Sequence, residues 1–216
     1  MSSLKRDVRI TGLLYLLLAI FGGAPFFYMQ SQILVRGDAV ATAANVAAND
    51  FAFRLVLVAD VVGMTVYVLT ALGFFRVFRA TNKELAATIV VFASVGAALM
   101  GATFMSHVGA LVSQKDPALL LMFLEMRADS FLIAQVFFGL WLFPMGYLAY
   151  VSGLFPKALG VLLMIGCFGY VADLLMHFLF PAASDIGSPI ALIPATLAEL
   201  WMVGYLLFAR RRFAAS

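Results

Sequence analysis

Six stretches of this chain stay apolar for 20 residues or more, and that removes most folds from consideration. They run roughly over residues 9–29, 52–78, 85–112, 130–152, 157–180 and 190–209. A helix rises 1.5 Å per residue, so about 20 apolar residues cross a hydrocarbon core about 30 Å thick. In lipid every backbone N–H and C=O must be satisfied within the protein, and for segments this long that means helices. Composition agrees: 64% of the residues are hydrophobic and 12% charged, against about 25% charged in soluble domains. Six spans and their connections use up the 216 residues. The expected architecture is all-α: a polytopic transmembrane helical bundle, a single domain over residues 1–216 in contact with the lipid bilayer.

Basic residues set the expected orientation. With both termini inside, Lys5, Arg6, Arg9, Arg76, Arg79, Lys83, Lys157, Arg210, Arg211 and Arg212 fall on the inner side. Only Arg36, Arg54, Lys115 and Arg127 fall outside. This bias predicts an N-in, C-in topology. It also accounts for the pI near 9.2 without nucleic acid, because the basic residues sit at helix ends. The single cysteine, Cys167, has no internal partner and lies in an apolar run, as expected of a buried thiol.

Two connections are long. Residues 30–50 are Ala/Asn/Asp-rich and predict a surface loop. Residues 114–129 carry Asp116-Pro117, a helix-start pair with Asp as N-cap and Pro in the first turn. This stretch predicts an interfacial lead-in to the fourth span. In the first span Gly22-Gly23-Ala24 mimics a cleavage site, but the apolar run continues through Pro25-Phe26-Phe27-Tyr28, which favours a retained helix. The third span has two strips of small residues, Ala93/Ala97/Gly101 and Ser94/Ala98/Ala102/Ser106. Such strips let helices approach closely and predict a central position. Val58-Ala59-Asp60 recurs as Val171-Ala172-Asp173. An inverted repeat would mirror their depths, whereas both fall on one side, so the match is read as chance.

The candidate site comes from the ionisable residues within the spans. Charge in hydrocarbon costs between about 2.5 and more than 10 kcal/mol, so such groups are expected to face one another. Counting from each outer helix end places Asp60 and Glu199 at a depth of about 13 Å and Asp173 at about 11 Å, with His107 and His177 shallower. These five predict one pocket open to the outer leaflet. Asp173 and His177 are one helical turn apart. His107 is the other of the chain's 2 histidines. Two imidazoles and up to three carboxylates form a plausible first shell for a divalent metal such as zinc. The alternatives are structural hydrogen bonds, for His107 beside Ser106, and a haem held by both histidines, for which no other haem feature is present. Arg54 and Gln135 belong to the same layer nearer the surface. Arg54 lies about 120° around the helix from Asp60 and is expected to answer Glu125, Asp129 or a lipid headgroup. Glu199 stands beside Trp201 in an otherwise apolar helix and is a candidate for ligation or proton exchange. The Met and Phe residues are read as packing and lipid contact.

No phosphate-binding Gly-rich loop, Cys-x-x-Cys, His-Glu-x-x-His or Gly-x-Ser-x-Gly is present. Other motifs run almost the length of the chain: Arg9-Ile10-Thr11-Gly12-Leu13-Leu14-Tyr15-Leu16, Phe53-Arg54-Leu55 on to Asp60, Pro156-Lys157-Ala158-Leu159-Gly160 on to Gly169-Tyr170 and Asp173, and Glu199-Leu200-Trp201. They resemble an uncharacterised bacterial six-helix membrane protein family known only as domain of unknown function 4386. The resemblance implies a multi-pass protein of the bacterial plasma membrane and brings no assigned activity or catalytic residues.

Three functional readings follow. One is a metal site in the outer pocket, acting on a lipid-like or small substrate. It is similar in concept to the ceramidase and adiponectin-receptor proteins, but this chain has six spans and lacks a third histidine ligand. Another is a small proton-coupled transporter using Asp60, Asp173 and Glu199. The last is a non-catalytic accessory or scaffold subunit, in a homo-oligomer or with other membrane subunits.

Overall fold

The computed structural model describes residues 3–208. Arg210, Arg211 and Arg212 of the orientation argument lie outside the described residues. The helices are α1 (Ser3–Tyr28), continued by a π-helical turn at Met29–Ile33, then α2 (Ala39–Ala48), α3 (Asp50–Phe78), α4 (Lys83–Val112), α5 (Pro117–Val151), α6 (Lys157–Leu179) and α7 (Pro181–Phe208). Six of these elements are long and apolar enough to cross a membrane; the exception is the short α2. No strand occurs among the described residues.

The spans close into a ring. Helices α3 to α7 each pack on the next in the chain, α1 packs on α3, and α7 returns to α1. Short connections produce this order, because neighbours joined by a few residues pack as antiparallel hairpins. Polar caps mark the turns. Asn82 accepts from the Leu85 N–H at 2.9 Å, and Asp116 accepts from the N–H groups of Ala118 and Leu119, both at 3.1 Å, with Pro117 in the first turn. These caps satisfy donors that the first helical turn leaves free.

Two expectations about the connections need correction. The helix start at Asp116-Pro117 is present, but no separate lead-in follows it: α5 runs unbroken from Pro117 to Val151. Residues 30–50 are largely helical instead of a loop. Asp38 caps α2 by accepting from the Ala41 N–H at 2.9 Å. Thr42 and Val46 of α2 are buried, and Val46 belongs to a second apolar cluster with Met29, Ile33, Phe53, Leu120 and Leu124. Alanine-rich sequence with one apolar contact at Val46, and with Thr42 hydrogen-bonded one turn earlier to the Val35 backbone, suffices for a short helix that has something to pack on.

The most buried span is α5, not the third span, α4. On α4 the strip of Ala93 and Ala97 is buried, whereas Ser94, Ala98 and Ala102 are exposed. Adjacent strips on one helix point about 100° apart, so the second strip is turned outward over most of its length and is buried only at Ser106. The main core is aromatic and centred on Trp141 of α5. Its indole makes edge-to-face contacts with Tyr67 at 4.7 Å, Tyr15 at 5.6 Å and Phe74 at 6.0 Å. The outer faces of the spans carry exposed Ile20, Val58, Val91, Phe168 and Leu200, an apolar surface suited to lipid.

Candidate functional site

Two of the five residues expected to share one pocket are paired separately through α5. Asp60 accepts from the Arg127 guanidinium at 2.6 Å, with both side chains about 95% buried. Asp173 accepts from the Gln135 side-chain amide at 2.6 Å. His177 stands 3.3 Å from Asp129, which also accepts from Arg36 at 2.9 Å. Asp173 and His177 thus turn to different partners despite their one-turn spacing. His107 is wholly buried beside the equally buried Ser106 turn and packs on Phe53 at 4.4 Å between centroids. Neither of its ring nitrogens meets hydrogen-bond geometry with a neighbour.

Arg54 pairs within its own helix, donating to Asp50 at 2.9 Å. It does not reach Glu125 or Asp129, because an i,i+4 partner is the nearest available. Glu125 instead accepts from the Gly37 N–H.

Among the described residues, no group of three or more His, Cys, Asp or Glu side chains stands close enough to hold a metal ion. The metal expectation for His107, Asp173, His177, Asp60 and Glu199 is therefore not supported. Arg127 and Gln135 point donors at two of the carboxylates, and a donor occupies the lone pairs a cation would need. A haem between the histidines finds no support either, since His107 is packed against Phe53 and His177 turns to Asp129.

A different site forms around Glu199. A cavity of about 450 Å³ lies between α1, α3, α5, α6 and α7, with Met100 of α4 at its wall, lined among others by Tyr15, Tyr67, Gln135, Trp141, Tyr170 and Glu199. The Tyr15 hydroxyl donates to one Glu199 carboxylate oxygen and the Tyr170 hydroxyl to the other, each at 3.0 Å. The carboxylate is held from two sides by groups 184 and 29 residues away in the chain. Tyr67 donates to the Phe137 carbonyl at 3.2 Å. The Trp141 indole N–H has no partner. Phe138 completes the aromatic wall, 5.0 Å from Tyr67 and 6.4 Å from Tyr170.

Helix packing explains the opening of this cavity. At one end of the seam α1 and α7 touch: a methyl on Gly12 would come within 2.9 Å of Leu206 Cβ. Further along α1, a methyl on Gly23 would meet nothing within 4 Å. Among the described residues that line the cavity the exposed ones lie on these two helices, Ala19 and Phe27 of α1 with Thr196 and Leu200 of α7, and Gly22 and Gly23 are half-buried beside them. Prolines lie close by on both, Pro25 in α1 and Pro194 in α7. On the far side of α7 the packing is close. Gly166 and Gly169 of α6 face Ala195 and the Ala191 carbonyl of α7, with no room for a side chain at Gly169. The opening is lateral, between two spans whose outer faces are apolar.

Sequence reasoning found Glu199, Asp173 and Gln135 but not Tyr15, Tyr67, Tyr170 or Trp141. The available signal was tyrosine in the middle of a span, since aromatic hydroxyls in membrane helices prefer the interfaces. The indole neighbouring Glu199 in sequence, Trp201, is 41% exposed, whereas the one lining the cavity comes from α5.

No solved structure matches the chain. An uncharacterised protein of Archaeoglobus fulgidus is 46% identical over 46 residues, 21% of this chain and 28% of that protein. The chain thus spans little more than a quarter of that relative's length. The motifs from Ile10 to Trp201 fall within a family profile that matches residues 10–209, and the chain belongs to that family, described as Domain of unknown function (DUF4386).

Proposed function

We propose that this protein is a membrane-embedded binding protein whose cavity takes up a small amphipathic molecule directly from the lipid phase. The observation that carries this reading is the lateral opening between α1 and α7 onto a largely apolar cavity with one polar focus, Glu199. Small-molecule sites commonly occupy about 300–1,000 Å³ with mostly apolar walls and a few convergent polar groups, and 450 Å³ with Glu199, Gln135 and three tyrosines is of that kind. A ligand entering from the bilayer keeps its tail in an apolar medium throughout, so only its head group changes surroundings.

The test uses Trp141 as reporter. In a Trp201→Phe background reconstituted in nanodiscs, octanol should change the Trp141 fluorescence saturably. Gly23→Phe places a ring in open space at the rim and should remove the saturable component while leaving the melting temperature near that of its parent. A linear, non-saturating response in both proteins would mean that octanol only partitions into lipid, and the reading would fail.

A further inference from the structure

We propose that the ligand of this cavity is a cationic amine carrying an apolar tail, an alkylammonium head seated against Glu199; this rests on the reading above and names its ligand class. Glu199 is a carboxylate without a counter-charge. Its hydrogen-bond donors are the neutral hydroxyls of Tyr15 and Tyr170, and among the described residues no Lys, Arg or His forms an ion pair with it. Three other carboxylates are matched by arginines: Asp60 by Arg127, Asp50 by Arg54, and Asp129 by Arg36.

A second uncompensated carboxylate stands behind the same wall. Asp173 receives only the neutral amide of Gln135, and Gln135 itself lines the cavity. With its N–H given to Asp173, Gln135 retains an acceptor oxygen. Among the described residues, the cavity lining contains no Lys, Arg or His. This disfavours phosphate and carboxylate head groups, which such donors hold most strongly, and leaves two carboxyl groups in a low-dielectric setting whose charged form a monocation would compensate. The surrounding rings of Tyr15, Tyr67, Phe138, Trp141 and Tyr170 suit the same ligand, because aromatic faces attract ammonium groups and hold them best when water is excluded.

The experiment compares three probes of equal chain length on the Trp201→Phe protein in zwitterionic nanodiscs at neutral pH, with empty nanodiscs subtracted: octyltrimethylammonium, octanol and octanoate. We expect the ammonium to bind about tenfold or more tightly than octanol, with octanoate weakest. In Glu199→Gln the ammonium should lose its advantage over octanol, and the melting temperature of the variant reports that it is folded. Octanol binding as tightly as the ammonium, or octanoate binding best, would overturn the amine assignment and leave the cavity reading standing. Absence of saturable binding for all three would overturn both. The ammonium-to-octanol ratio in the parent protein decides the matter even if Glu199→Gln does not fold.

Discussion

Arg127 and Asp60 form a buried ion pair at 2.6 Å that ties α5 to α3 across 67 residues of chain. Two charges that would each be costly in lipid neutralise one another, and the Arg127 Nε is left without a partner. Removing one member should therefore hurt far more than removing both. Asp60→Ala is expected to destabilise the protein by about 3–5 kcal/mol, and Asp60→Leu combined with Arg127→Met to recover most of that loss. Unfolding in mixed micelles measures both; a double variant as unstable as the single one would refute the argument.

His107 makes the opposite prediction. Its ring is buried, packs at a tilt on Phe53, and has neither nitrogen in good hydrogen-bond geometry. Replacing a buried, unbonded polar group by an apolar one of similar shape is close to neutral or stabilising. His107→Phe is expected to keep or raise the melting temperature. A fall of more than a few degrees would reveal a polar role for the imidazole.

Two glycines should respond in opposite ways to the same change. Gly169→Ala drives a methyl into the Ala191 carbonyl oxygen, whereas Gly23→Ala meets open space. The first is expected to cost about 1–3 kcal/mol through overpacking of α6 against α7. The second should be neutral or gain up to about 1 kcal/mol from helix propensity. Equal melting temperatures for the two variants would count against the α6–α7 contact.

Orientation is open to a direct check. The α1 start, the α3–α4 turn and the α5–α6 turn carry Lys5, Arg6, Arg9, Arg79, Lys83 and Lys157, so we expect this end to be cytoplasmic. Reporter fusions at Phe180, between α6 and α7, and after Ser216 should report opposite sides, the C-terminal one cytoplasmic. The same side for both would contradict a six-span traverse.

Span number, the helix start at Asp116-Pro117 and the presence of polar groups in the bundle were legible in the sequence, because each depends on local properties. A run of apolar residues must become a helix in lipid, and Asp116-Pro117 starts one wherever it lies. The helical nature of residues 39–48 was not legible, since α2 is held by Val46 packing with the distant Phe53, Leu120 and Leu124 and by Thr42 hydrogen-bonding to the Val35 backbone.

What the sequence by itself determined is that Asp60, His107, Asp173, His177 and Glu199 cannot all face lipid, an energetic statement that needs no coordinates. What only the tertiary structure decided is which group answers each of them. Depth along a helix follows from counting residues, but the direction a side chain faces depends on how each helix is rotated against its neighbours. That rotation is set by packing, such as Gly169 against the Ala191 carbonyl. It turns Arg127 to Asp60 and Gln135 to Asp173, and leaves Glu199 to two tyrosines. Tyr15, Tyr170 and Glu199 come from three helices spread over almost the whole chain, and no spacing rule connects them before the ring closes.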